Sequence, residues 1–373
     1  MDGTAQRAPL WLRCVPWAVM VAALILELST PAEVRATPLL TLACVAAGVV
    51  LPLRGTLAVA AAALTLELLI TVVRGTEHEG HEYVDALNVL VAGGVGVAAN
   101  RLRGRYGSRL AAAREIAEAA QRAVLPTPPS RLAGAPVAVA YRAARGGTRV
   151  GGDFYAALAT PWGVRFVVGD VRGKGLGAVG LVAILLGAFR EAAVRVQDLA
   201  EVAARMDEAA SLEAERRGGE EGREGFATAV LAELPAAAPD RLRLLSRGHP
   251  APYVFAPDGA VRELPYGAPG LPLGLGPLVA GPDGTAVAEH PLPPGALVLL
   301  LTDGVTEARD RTGAFFDPAR DLTGLPRAER ATPGALLHTV AAAVADWSHG
   351  ERDDDMALLA FGRTTGTGPA GAV

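Results

Sequence analysis

The chain has 373 residues, 51% of them hydrophobic, and carries 35 Lys plus Arg against 39 Asp plus Glu for a net charge of -4. That length exceeds one typical domain of roughly 100 to 200 residues, and the near-neutral balance gives no electrostatic case for nucleic-acid binding. The two cysteines, Cys14 and Cys44, both lie in or beside apolar segments, which excludes a disulfide framework or a cysteine-based zinc site.

Mean hydropathy is positive, and the apolar excess lies before residue 100. Four apolar stretches come first: Val15 to Leu28, Pro38 to Leu53, Thr56 to Val73 and Val84 to Ala99. Each is near or slightly below the roughly 17 to 25 residues a membrane helix needs. Arg7 and Arg13 ahead of the first stretch imitate a signal peptide, but three more spans follow and no clear small-residue cleavage site is present. Arg7, Arg13, Arg54, Arg101, Arg103, Arg105 and Arg109 all fall on one side of a four-span topology, which predicts that both ends of a membrane domain over residues 1–100 face the cytoplasm. The expected location is therefore the cytoplasmic membrane, with multiple spans in the bilayer and the rest of the chain in the cytoplasm.

Glu27 and Glu67 are ionisable residues inside these spans, near the acidic, histidine-bearing GTEHEGHEY of the opposite side (Glu77, His78, Glu79, His81, Glu82). A proton or cation sensor is one reading. Glutamates that snorkel or face neighbouring helices are the preferred one. Leu102, Tyr106, Leu110, Ala113, Ala117, Ala120 and Val124 then recur at spacings of four and three, predicting a linker helix over residues 101–125. That seam suits either a parallel coiled-coil homodimer or a single helix packed on the next domain. Pro126, Pro128 and Pro129 end it.

From Val137 to residue 363 the pattern is α/β. Strands are expected over Val137 to Tyr141, Phe154 to Ala159, Val164 to Val168, Arg223 to Leu234, Leu242 to Ser246, Tyr253 to Phe255, Ala286 to His290, Leu297 to Thr302 and Met356 to Phe361. Helices are expected over Leu176 to Val196, Asp198 to Arg216 and Thr332 to Trp347. Strand groups without a regular βαβ period favour mostly antiparallel sheets flanked by helices. Glu213 to Gly225 reads as a charged, glycine-rich mobile loop, and residues 364–373 as a disordered tail.

Two motifs are decoys. Gly175, Gly177 and Gly180 satisfy GxGxxG between a strand and a helix, yet a second helix follows instead of a parallel strand, and Asp170 would oppose a pyrophosphate. Lys174, the only lysine, precedes glycine and not Ser or Thr, so a P-loop fails as well. His249 has no nucleophile elbow near it, and a turn histidine is preferred over a place in a substrate groove.

The informative pattern is an aspartate at a strand end, and it occurs four times: Asp153, Asp170, Asp303, and the run Asp353, Asp354, Asp355. Carboxylates without Cys or His select Mg²⁺ or Mn²⁺ over zinc. Converged, four such charges match two divalent ions, which can activate a water and neutralise a phosphoryl group during in-line attack.

The order VGGDFY, GDVRGKG, FAT, GHPAPY, GLPLG, LLLTDGVTEAR, FF and DDMALL, from about Val124 to Phe361, resembles the bacterial stage II sporulation protein E group of metal-dependent serine/threonine phosphatases. The resemblance implies an α-β-β-α sandwich over residues 126–363, two Mn²⁺ or Mg²⁺ ions, and hydrolysis of phosphoserine or phosphothreonine on a protein such as an anti-sigma-factor antagonist. It implies further that Asp170 bridges both metals, that the Val171 carbonyl is a ligand, that Asp303 and Asp354 hold one metal, and that Asp153 acts mainly through water on the metal. Asp355 and Asp353 are the alternatives to Asp354. Gly169, Gly173 and Gly175 would let the backbone pass close to the site. Two departures stand out: Ala156 where the family often has an acid, and Arg172 where the wider superfamily has a histidine. Arg172 and Lys174 would attract phosphate or lie in a solvent-exposed turn. A metal-free pseudophosphatase that binds a phosphoprotein or relays a membrane signal is the alternative to the enzyme.

Overall fold

A computed structural model describes residues 9–30, 35–74, 81–125, 127–143, 151–173, 175–219, 225–276, 285–350 and 354–363. Glu77, His78, Glu79, Lys174, Asp353, Pro126 and the tail 364–373 lie outside them, as do the side chains of His81, Glu82 and linker positions 110–123. The chain divides into two compact units, Met1–Ala113 and Arg114–Val373.

The first unit is helical: α1 (Leu10–Ser29), α2 (Thr37–Val50), α3 (Leu53–Arg74) and most of α4 (His81–Val124). Stretches of α1, α3 and α4 are long and apolar enough to cross a membrane. The second expected span falls short, because α2 has 14 residues, or about 21 Å against a hydrocarbon core of about 30 Å. The fourth span and the linker are likewise one element: α4 runs 44 residues without a break at Gly104 or Gly107.

Leu40, Ala43, Cys44, Ala47, Val59, Ala63 and Val89 form the core of this unit, while Trp11, Val21, Ile25, Leu28, Leu69, Val72 and Val91 point outward. An apolar exterior around a small-residue interior fits a membrane region. A Cβ on Gly48 would lie 2.3 Å from the Gly96 carbonyl oxygen, so α2 and α4 meet backbone to backbone. The buried polar groups find partners inside the bundle. Glu27 Oε2 accepts from the Ala36 amide at 2.9 Å, the Thr37 hydroxyl donates to Glu67 at 3.3 Å, and Asn100 Nδ2 donates to the Leu51 carbonyl at 2.7 Å. Both glutamates therefore face neighbouring backbone or helices.

The second unit holds two sheets, and every ladder in them is antiparallel. Its strands are β1 (Arg131–Leu132), β2 (Ala135–Arg142), β3 (Asp153–Thr160), β4 (Gly163–Val171), β5 (Ala227–Pro235), β6 (Arg241–Arg247), β7 (Tyr253–Phe255), β8 (Val261–Glu263), β9 (Ala288–Pro291), β10 (Leu297–Leu301) and β11 (Met356–Gly362). One sheet runs β1-β2-β11-β10-β7-β8 and the other β3-β4-β5-β6-β9. Helices α5 (Leu176–Arg195) and α6 (Leu199–Arg217) cover the five-stranded sheet. After the short α7 (Asp303–Thr306) and α8 (Pro318–Asp321), α9 (Pro333–Trp347) covers the six-stranded one. This is the α-β-β-α sandwich.

The continuous apolar strands follow from burial on both faces. In β10, Val298 and Leu300 pack into the inter-sheet core, while Leu297, Leu299 and Leu301 pack with Leu336 and Val340 of α9. Across the core, Phe166 of β4 stacks on Phe361 of β11 at 3.9 Å. Helix α5 is also long and apolar enough for a membrane, but its apolarity belongs to the sandwich, where Leu181, Leu185, Leu186 and Phe189 are buried. The C-terminal end of α5 is held by Arg165 of β4, fully buried, whose Nη1 donates to the Ala193 and Val196 carbonyls at 3.0 and 2.5 Å and whose Nε donates to Glu233 at 2.6 Å.

The expected loop from Glu213 starts later. Helix α6 continues to Arg217, and Glu213 accepts from Arg216 and Arg217 at 2.7 Å, satisfying the acid inside the helix.

Candidate metal centre

Strand register assembles half of the site. Asp153 opens β3 directly opposite Asp170 of β4, which is opposite Thr228 of β5, so three side chains form a row on one sheet face. Like charges paired across strands repel, and glycines in the local sequence leave room for them. A Cβ on Gly152 would sit 2.1 Å from the Val171 carbonyl oxygen and 2.8 Å from Asp170 Oδ1. One on Gly151 would sit 1.3 Å from Asp355 Oδ2.

The other sheet supplies the second half. Thr302, at the end of β10, donates to Asp153 Oδ2 at 2.7 Å and accepts from the Ala357 amide at 2.9 Å, tying Asp153 to β10 and β11. Asp303 follows as the first residue of α7, and Asp354 is exposed just ahead of β11. A Cβ on Gly304 would lie 1.9 Å from the Asp355 carbonyl oxygen, which explains glycine after Asp303.

Asp170, Asp303 and Asp354 line one open pocket of about 240 Å³ together with Val171, Arg172 and Phe226. Asp153 lies behind Asp170, buried. Asp355, the alternative ligand, is buried against Gly151 and does not line the pocket. Burial and then the neighbouring Asp170 hold the Asp153 carboxyl well above the usual carboxylate range. Burial, with Asp303 next, pushes Asp170 up to about 7. Asp303 is raised by burial, then by Glu307 and Asp354. Each shift has the cause expected of clustered acids, burial first and like-charged neighbours next.

The donor set fits a hard divalent cation: carboxylates from three chain segments, an adjacent backbone carbonyl, and a glycine cradle that any Cβ would fill. As the side chains stand, no three Asp, Glu, His or Cys groups among the described residues converge on one ion position.

The remaining sequence candidates separate. Arg172 is exposed at the pocket, its guanidinium 5.2 Å from the Phe226 ring centre and its amide donating to the Phe226 carbonyl at 2.9 Å. His249 is not available to a substrate: it is buried, with Nδ1 2.8 Å from the Thr228 hydroxyl and Nε2 3.0 Å from the Leu301 carbonyl oxygen. Burial pushes its pKa down to about 4. Ala156 is buried in the core and, by strand alternation, points to the face opposite Asp153. Gly175 does have the positive φ of 94° that favours glycine, while Gly177 and Gly180 pack near Arg217, which donates to the Gly177 carbonyl at 2.9 Å. Sequence pattern alone assigns no role to Thr228, Thr302 or Phe226. The only signal for them is their place in the FAT and LLLTDG strings.

A sequence profile of the stage II sporulation protein E family matches residues 160–364. No curated protein sequence matches the chain. The SiaA PP2C domain of Pseudomonas aeruginosa is similar at 22% identity over 70% of this chain and 98% of that one, with a TM-score of 0.51, a likeness of fold. The RsbU and RsbW domains of a Mycobacterium tuberculosis protein share 25% identity over 66% of this chain, TM-score 0.47. The chain spans 63% of the length of that structure. The phosphatase domain and regulatory fragment of SpoIIE from Bacillus subtilis share 18% identity over 63% of this chain and 65% of that one, TM-score 0.49.

Proposed function

The chain belongs to the stage II sporulation protein E family, and from that premise we propose that it is a membrane-anchored phosphatase for phosphoserine and phosphothreonine on a protein. The observation that carries this reading is the delivery of Asp170, Asp303 and Asp354, from three distant segments, to one pocket in front of buried Asp153. Two Mn²⁺ or Mg²⁺ ions held by Asp170, Asp303, Asp354 and the Val171 carbonyl, with Asp153 behind them, would supply activation of the attacking water and charge neutralisation at the phosphoryl group. Thr302 fixes Asp153 by its hydrogen bond. Arg172, braced on Phe226, presents a guanidinium to the phosphate at the pocket edge. Lys174, two residues on, is assigned the same attraction.

We place the catalytic domain at residues 126–363 in the cytoplasm, anchored by the helices of residues 1–100, with 101–125 as a linker that pairs two copies. The substrate class is a phosphorylated anti-sigma-factor antagonist. The pseudophosphatase alternative has one observation in its favour, the absence of a three-acid convergence among the described residues. Phosphate release from a phosphopeptide by the full chain in detergent separates the two. The enzyme reading expects Mn²⁺-dependent release that chelation abolishes. Release that persists in an Asp170→Asn, Asp303→Asn double variant would sink the metal mechanism.

A further inference from the structure

His249 and Thr228 form a pair whose proton positions are fixed by their surroundings. His249 Nε2 lies 3.0 Å from the Leu301 carbonyl oxygen, which can only accept, so Nε2 carries the proton. The ring is buried and its pKa is pushed down to about 4, so near neutral pH it holds one proton and Nδ1 is a bare acceptor. The Thr228 hydroxyl, 2.8 Å from Nδ1, must then donate to it. With its only hydrogen spent there, Thr228 Oγ1 offers the pocket lone pairs alone, beside Asp170 in the strand row.

We infer that His249 is a positioning residue that sets Thr228 Oγ1 as a fixed acceptor in the pocket, where it receives a hydrogen bond from the attacking water. The inference rests on the phosphatase reading for the identity of that water, but not for the hydrogen-bond direction. An acceptor-only oxygen repels phosphate oxygens, so its effect falls on orienting the nucleophile and not on holding substrate. The backbone of His249 holds the ring in place as well. Its amide donates to Ser246 Oγ at 3.1 Å, so the turn after β6 is locked while the ring reaches β10 in the other sheet.

The test has two arms. In full-length protein carrying ¹⁵N-histidine, the resonances lost in a His249→Asn variant assign the ring, and the expected pattern is Nε2–H with unprotonated Nδ1. An Nδ1–H pattern would make Thr228 a donor to the pocket and overturn the inference, whatever the protein hydrolyses. In the kinetic arm, Thr228→Val is expected to lower kcat by about 10- to 100-fold, the range for an outer-shell partner, with KM little changed, while Thr228→Ser restores kcat. Full kcat in Thr228→Val, or a loss confined to KM, would overturn the water-orienting role. A wild-type chain without Mn²⁺-dependent phosphate release would instead remove the phosphatase reading, and the tautomer spectrum would still decide the direction of the pair.

Discussion

Among the described residues of the α-β-β-α domain, two sets of charges drawn out of water are solved in opposite ways. Arg165 meets Glu233 at 2.6 Å and spends further donors on the carbonyls that end α5, so charge and hydrogen bonds are balanced within the chain. Asp153, Asp170 and Asp303 have the same sign, and burial followed by neighbouring carboxylates raises all three carboxyls. A buried cluster that the fold completes by itself is structural. One that the fold assembles through glycine contacts from acids with raised pKa values is built for something that arrives from outside.

Breaking the complete cluster should have the largest effect on stability. Arg165→Ala removes the 2.6 Å partner of Glu233, leaving Arg243 at 3.4 Å, and uncaps α5, and is expected to lower unfolding free energy by about 3 kcal/mol in denaturant titrations of the full chain. Replacing both partners, Arg165→Met with Glu233→Leu, should recover most of that loss, since the penalty comes from the charge left behind. Recovery of nothing would mean that the α5 carbonyls, and not the ion pair, dominate.

A smaller loss is expected at the joint between the sheets. Thr302→Val leaves the Ala357 amide and one Asp153 oxygen without the bonds now at 2.9 and 2.7 Å, for a cost of about 1–3 kcal/mol. Equal stability of the variant would show that Thr302 does not anchor Asp153.

The acidic cluster should reveal itself through pH. An acid whose folded pKa is raised holds a proton that the unfolded chain has released, so its stabilisation is complete below the unfolded pKa and is lost as pH rises through the folded one. For Asp170 that window runs from about 4 to about 7, and the raised Asp153 and Asp303 carboxyls act in the same direction. His249, lowered from 6.5 to about 4, acts in the opposite sense over the lower part of this window, where stability falls with falling pH. Above about pH 6.5 the opposing contribution of His249 is gone. The thermal midpoint of metal-free protein should fall between pH 6.5 and 8, and saturating Mg²⁺ should flatten that fall. A rising midpoint would contradict the assignment of the raised carboxyls.

The contrast also explains what the amino-acid sequence made legible. Strands such as β10 and β11 are apolar on both faces and stand out as unbroken runs, and each aspartate was visible because it borders or closes a strand. Arg165 and Glu233 were invisible, since an ion pair 68 residues apart leaves no local spacing. Thr228 and Thr302 were missed because a single hydroxyl in a strand has no period. The linker was separated from the fourth span because composition changes there, whereas the helix tolerates Gly104 and Gly107 at about 1 kcal/mol each. Helices α7 and α8, of four residues each, are too short to show a helical repeat.

The central claim is that the like-charged cluster is completed by divalent ions. Calorimetric titration of Mn²⁺ into the full chain tests it most directly. Saturable binding that is lost in Asp170→Asn, while Arg165→Met with Glu233→Leu leaves it intact, is the predicted result; absent binding, or binding indifferent to Asp170, would contradict it.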